Sequence, residues 1–208
     1  MSNHIFYIIG ESGSGKDTIY NMVLDYISSN NKNNLNIKPI VVNTTRPMRK
    51  NEINGITYNF VTKDKYMEDR KKDKIAEKRS YVVVGGVWIY YTSKDAINLK
   101  ECSHIGIGTL ESFYSLRKIY GTEVMIPIYI QVSDDGERLK RLITREQNQP
   151  ENKRNYREIC RRYVSDGDDF VKSNQKRCFG ECKPHIILND SDVNDSFNEV
   201  INIIKNMS

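Results

Sequence analysis

Ile5-Phe6-Tyr7-Ile8-Ile9-Gly10-Glu11-Ser12-Gly13-Ser14-Gly15-Lys16-Asp17-Thr18 decides the fold, because an apolar run passes straight into glycines, one lysine and a helical pattern. The spacing from Gly10 to Gly15-Lys16 fits a P-loop, whose glycines let the backbone curl so that successive N–H groups face one anion. Lys16 would add a point charge near the outer phosphates, and the following helix would aim its positive N-terminus at the same place. Ser12, Gly13, Ser14, Gly15, Lys16, Asp17 and Thr18 are therefore the expected triphosphate cradle. Asp17 stands where the pattern expects the magnesium-binding Ser or Thr, and the hydroxyl comes one place later, at Thr18. These two are the expected metal-side residues.

Outward from the loop, Ile19, Val23 and Ile27 recur at helical spacing, and 30–34 read as a polar turn. A strand over Ile37–Val42 follows. From 48 to about 92 the composition changes: charged stretches alternate with β-rich pieces, and Gly85-Gly86 signals a hairpin. The charged run Lys63–Arg79 reads as the solvated face of a helix, with no function assigned. Alternation then returns with a strand at His104–Ile107, a helix at Leu110–Ile119 and a buried strand at Val124–Val132. Two arginine-rich helical stretches come next, then a strand at Ile186–Leu188 and a helix at Val193–Ile204. Strands alternating with helices predict an α/β fold, a three-layer P-loop NTPase architecture around a parallel sheet.

The 208 residues suit one domain, and the net charge of +5 favours anionic partners without choosing among them. No leader or membrane-length apolar run is read, so a cytoplasmic location with reduced thiols is expected. Cys178, Cys182 and His185 cluster in the sequence, where ordinary thiols near a turn are the better reading and a metal site stays open.

A second segment narrows the chemistry. Thr44-Thr45-Arg46-Pro47-Met48-Arg49 is followed by Glu52, Gly55 and Tyr58-Asn59-Phe60. Arg46 and Arg49 offer planar cationic forks, and Tyr58 a hydroxyl, all suited to one phosphate. A surface loop with arginines paired to Glu52 is the bland alternative. This long pattern resembles the monophosphate-binding segment of guanylate kinases. The resemblance extends to Tyr90-Tyr91-Thr92, with Tyr91 in place of a glycine, and implies that Tyr90 touches the acceptor phosphate and Thr92 the base. It reaches the arginine helices that would bound a lid and Asn189-Asp190 beside adenine, although that pair also suits a turn. Arg138, Arg141 and Arg145 share one helical face, as do Arg154, Arg157 and Arg161.

The resemblance implies a core of 1–42, 93–140 and 158–208, a monophosphate-binding insertion at 43–92 and a lid at 141–157. It implies transfer of the γ-phosphoryl group of Mg-ATP to GMP or dGMP. Lys16, Arg46, Arg145, Arg157 and Arg161 (or Arg162) would serve the transferred group, and Arg141 and Asn189 would join the ATP site. Arg46, Arg49, Tyr58, Tyr90 and Thr92 would hold the acceptor, with Mg²⁺ as cofactor, in a monomer or homodimer that engages neither membrane nor nucleic acid. The family's base-binding Asp-x-Asp is replaced by Gly106-Ile107-Gly108, and its base-binding Glu falls at Ser80 or Tyr81 without a gap, or at Glu77 with a shift. A kinase of other base preference, or a noncatalytic phospho-ligand module, are the alternatives.

Overall fold

The computed structural model describes residues 2–29, 35–50, 52–83 and 86–207. In chain order these form β1 (Ile5–Ile9), α1 (Lys16–Ser29), β2 (Ile37–Pro39), β3 (Asn43–Thr44), β4 (Asn59–Phe60) and α2 (Lys63–Lys71). There follow β5 (Ile75–Val83), β6 (Gly86–Ser93), β7 (Ser103–Gly108), α3 (Leu110–Tyr120), β8 (Met125–Gln131) and α4 (Asp135–Gln147). The chain closes with α5 (Tyr156–Asp169), α6 (Lys172–Phe179), β9 (His185–Leu188) and α7 (Val193–Met207).

The apolar run of β1 has no polar alternation because it is covered on both faces. Ile5, Tyr7 and Ile9 pack with Leu110, Phe113 and Leu116 of α3 on one side of the sheet. Phe6 and Ile8 pack with Ile19 and Val23 of α1 and with Val200, Ile201 and Ile204 of α7 on the other. Burying each such side chain stabilises the fold by about 1.5–3 kcal/mol, which fixes β1 at the centre. The sheet runs β2-β7-β1-β8-β9 with every ladder parallel, as the alternation of elements predicts.

A second sheet, β4-β3-β6-β5, stands beside this core; β3 pairs β4 in parallel, and β6 pairs both β3 and β5 antiparallel. The strand expected over Ile37–Val42 is divided between the two sheets. Ile40 still donates to Ile105 of the core sheet (2.8 Å), whereas Val42 already accepts from Asn59 of the second (2.9 Å). The polar turn expected at 30–34 and Gly85 of the expected Gly85-Gly86 hairpin lie outside the described residues; the flanking β5 and β6 pair antiparallel up to Val83 and Gly86.

The charged run Lys63–Arg79 is not one solvated helical face. Helix α2 ends at Lys71, and β5 begins at Ile75. Two of the run's carboxylates are buried, since Asp69 accepts from Tyr91 Oη (2.8 Å) and Glu77 from Thr92 Oγ1 (2.9 Å). Tyr91, where the family has glycine, fills the space between β6 and α2 against Tyr66. Helix α6 was not anticipated either: Cys178 and Phe179 are its only buried residues, too few to mark a helical period, and they pack toward α3. No described helix is long and apolar enough to cross a membrane.

Candidate active site

At the end of β1 the chain turns into α1 through Gly13 and Gly15, both with φ near +90° (86° and 90°), a conformation that favours glycine. Space demands glycine as well. A Cβ on Gly15 would lie 2.2 Å from Asn189 Nδ2, and one on Gly13 2.7 Å from the Arg138 carbonyl oxygen. Lys16 opens α1, with Nζ 3.5 Å from the Glu11 carbonyl oxygen and 3.2 Å from Asp17 Oδ2. The Asp17 carboxylate thus stands on the same side of the loop as the lysine charge.

Two buried side chains hold this loop from behind. Asn189, at the end of β9, donates to the Ser14 carbonyl (2.8 Å) and pairs through Oδ1 with Ser196 Oγ (3.2 Å). The residue expected beside adenine therefore has its amide engaged within the protein, as a loop brace. Arg138, almost fully buried, donates to the Ser12 carbonyl (3.2 Å) and forms ion pairs with Glu11 (3.3 Å), Asp135 (3.0 Å) and Asp166 (3.8 Å), while its guanidinium lies over Tyr163 (4.4 Å). Asp166 also accepts from the Ser12 N–H. Burial pushes the Glu11 carboxyl above its ordinary range, against the pull of Arg138. Spacing alone does not separate Arg138 from Arg141 and Arg145 on the same face; only its inward position tells them apart.

The residues expected to hold the acceptor meet at β3, β4 and β6. Arg46 is buried, donates from Nε to Tyr90 Oη (2.9 Å) and clasps Glu52 with both terminal nitrogens, one at 2.6 Å. Its guanidinium lies over Tyr58 (5.0 Å), and Tyr58 meets Tyr90 edge to face. The hydrogen bonds from Arg46 hold the Glu52 carboxyl at a pKa of about 2 and raise that of Arg46. Glu52 also accepts from the Arg49 N–H (2.7 Å), so one carboxylate aligns both arginines of the segment. The segment's bland reading is thus half right: Arg46 does pair with Glu52, but inside the protein.

Arg49 then reaches the other half of the molecule. With Arg145, Glu146, Lys153, Glu158 and Arg162 it lines a cleft of about 470 Å³ between the acceptor segment and α4–α5. Arg161 is turned to Glu158 (2.8 Å), which is held near a pKa of about 2, chiefly by that bond, and which takes Arg162 as well. Of the two arginines left open by sequence, Arg162 lines the cleft. Arg157 lies on the exposed surface of α5, and Arg141 sits beside Glu137 (3.7 Å).

At the far end of the β5–β6 face, Thr92 and Glu77 form the buried pair described above, which places Glu77 rather than Ser80 or Tyr81 beside Thr92. Gly106 and Gly108 face Tyr7: a Cβ on either would lie 2.8 Å or less from the Tyr7 side chain. Cys178 and Cys182 belong to the core, and among the described residues no group of three His, Cys, Asp or Glu is placed to hold a metal.

A family model described as guanylate kinase matches residues 2–207. A guanylate kinase from Chlamydia muridarum is 29% identical over 145 residues, covering 68% of this chain and 64% of the relative. One from Neisseria gonorrhoeae is 35% identical over 95 residues, 46% of this chain and 41% of that protein. These matches span less than two thirds of the relatives' own length. The crystal structure of guanylate kinase from Anaplasma phagocytophilum superposes with a TM-score of 0.65 at 17% identity, covering 99% of this chain and 86% of that one, a likeness of fold.

Proposed function

Since a family model spans nearly its whole length, the chain belongs to the guanylate kinase family, and from that premise we propose that it transfers the γ-phosphoryl group of Mg-ATP to a nucleoside monophosphate, GMP or dGMP foremost. The observation that carries this reading is the cleft in which Arg49 of the acceptor segment meets Arg145 and Arg162 of α4–α5. A module that only bound phosphopeptides would need the arginine–tyrosine clamp but not an intact, buttressed P-loop with Lys16.

The acceptor phosphate is already an anionic nucleophile, so no covalent intermediate is required. The work is to align two repelling phosphates and neutralise the charge that develops between them. In this reading Lys16 stabilises the transferred group. Arg46, Arg49, Tyr58 and Tyr90 fix the acceptor phosphate, with Glu52 holding the arginines in place until the phosphate arrives. Residues 43–92 act as the acceptor-binding insertion and 141–157 as the lid, whose Arg145 closes with Arg162 over the phosphates and excludes water.

The donor set fits magnesium. Asp17 and Thr18 supply hard oxygen atoms at the loop exit, and the Asp17 carboxylate lies 3.2 Å from the Lys16 ammonium. Asp17 and Thr18 would hold magnesium, which when bound with ATP would supply positive charge to offset that of the phosphates. Asp17 then supplies the acidic group that Gly106 and Gly108 lack.

Incubation with Mg-ATP and GMP is expected to yield GDP and ADP one for one, resolved by ion-exchange chromatography. Lys16→Ala is expected to lower the rate roughly 10²–10³-fold. ADP formed without GDP, or near-normal transfer by Lys16→Ala, would overturn the assignment.

A further inference from the structure

Strand β5 sets Glu77 and Arg79 on one face, opposite Thr92 and Tyr90 of β6 in register. This face runs from the buried Glu77–Thr92 hydrogen bond at one end to Tyr90, which holds Arg46, at the other. Arg79 is the cross-strand neighbour of Tyr90, yet its guanidinium turns back along its own strand toward Glu77. Nε stands 3.4 Å from Glu77 Oε2, and Nη2 3.5 Å from Oε1. Among the described residues neither Arg79 Nε nor Glu77 Oε2 has a hydrogen-bond partner, and both atoms are buried. A donor and an acceptor therefore stand side by side, close enough to attract but too poorly aligned to satisfy each other, and buried polar atoms left in that state need a partner.

We propose that Arg79 is a specificity-determining residue of the acceptor site, and that with Glu77 it reads a base edge bearing a carbonyl oxygen beside a ring N–H. The inference rests on the nucleotide-kinase reading for the class of ligand. Arg79 donates to the carbonyl oxygen, a pairing to which a guanidinium is well suited, and Glu77 accepts from the N–H. Guanine and hypoxanthine both carry that edge. Adenine carries an amino group beside an unprotonated ring nitrogen, which would set donor against donor and acceptor against carboxylate. The 2-amino group, by which guanine differs from hypoxanthine, finds no carboxylate at Gly106 or Gly108, where Tyr7 fills the space. The pocket therefore selects the carbonyl–N–H pair and gives little weight to the 2-amino group.

Equilibrium binding of GMP, IMP and AMP, measured by calorimetry on the full chain, tests this without turnover. GMP and IMP are expected to bind within about tenfold of each other and each at least ~10²-fold more tightly than AMP. Arg79→Met, which keeps the apolar stem, is expected to lose about tenfold or more for GMP and IMP with AMP unchanged, and Arg79→Lys to recover part of that loss. Thermal unfolding confirms that each variant is folded, and the ratio of two ligands is read on the same preparation. A GMP/AMP ratio that survives in both variants overturns the proposal, because a mere structural counter-ion to Glu77 would act alike on every base. So does a wild-type protein that binds GMP but rejects IMP. Selective binding without phosphoryl transfer would fail the kinase reading and still support Arg79 as the reader of the base; no binding of any of the three overturns both.

Discussion

The Tyr7 hydroxyl lies 2.3 Å from where a Cβ on Gly108 would stand, and it donates to Ser112 Oγ at 2.9 Å. The end of β7 thus has no room for a carboxylate, and the glycines that depart from the family pattern are matched by a tyrosine on the neighbouring strand. Burial pushes the phenol to a pKa of about 12, so Tyr7 is a neutral hydrogen-bond donor at physiological pH. Gly108→Asp is expected to destabilise the protein by about 1–3 kcal/mol in denaturant titration, the usual scale of overpacking. Tyr7→Phe in the same chain, by removing the nearest atom, should recover part of that loss. Equal stability of Gly108→Asp and the parent would contradict the placement of Tyr7.

Glu52 links the acceptor segment to pH. Its carboxyl titrates near 2 in the folded protein, against an ordinary value of 4.5, so its pairing with Arg46 stabilises the fold above about pH 4.5 and is lost as pH falls toward 2. Glu52→Gln is expected to cost about 3–5 kcal/mol at pH 7, since it leaves the buried Arg46 charge without its counter-ion, and to flatten the fall in stability between pH 4.5 and 2. Urea titrations of both proteins across that range check the sign; parallel curves would refute it.

Arg138 holds the P-loop from behind through the Ser12 carbonyl, Glu11 and Asp166. Arg138→Met keeps the stem and removes the Ser12 contact together with the pairing of Glu11 and Asp166. A rise of about tenfold or more in the KM for ATP is expected, with acceptor affinity unchanged, because a small shift of the cradle costs binding and alignment. A change confined to the acceptor KM would contradict this role.

The proposed magnesium site is testable at Asp17. In Asp17→Asn the concentration of magnesium giving half-maximal turnover is expected to rise about tenfold. An unaltered magnesium titration and rate would remove Asp17 from the metal side of the loop.

The core was legible in the sequence because an apolar run buried on both faces and a glycine-rich exit leave few alternatives for β1. The arginine–tyrosine clamp was legible because Arg46, Arg49, Glu52 and Tyr58 are close in the chain. What escaped depends on distant partners. Arg138 became a brace only because Glu11 and Asp166 surround it, and Glu77 could be told from Ser80 and Tyr81 only by the register that sets it against Thr92. The solvated-helix reading of Lys63–Arg79 failed because charge density concealed two carboxylates with buried tyrosine and threonine partners. The brace that Asn189 makes to the Ser14 carbonyl escaped because a strand-end Asn looks the same whether it faces a base or a loop carbonyl.

The most direct test of the central claim is a coupled ADP-release assay with Mg-ATP and GMP, dGMP, AMP, CMP, UMP and dTMP, using Lys16→Ala as control. Turnover with GMP and dGMP well above the other acceptors, falling roughly 10²–10³-fold in Lys16→Ala, is the predicted result. No acceptor-dependent ADP release with any of the six, or equal release by Lys16→Ala, would contradict it.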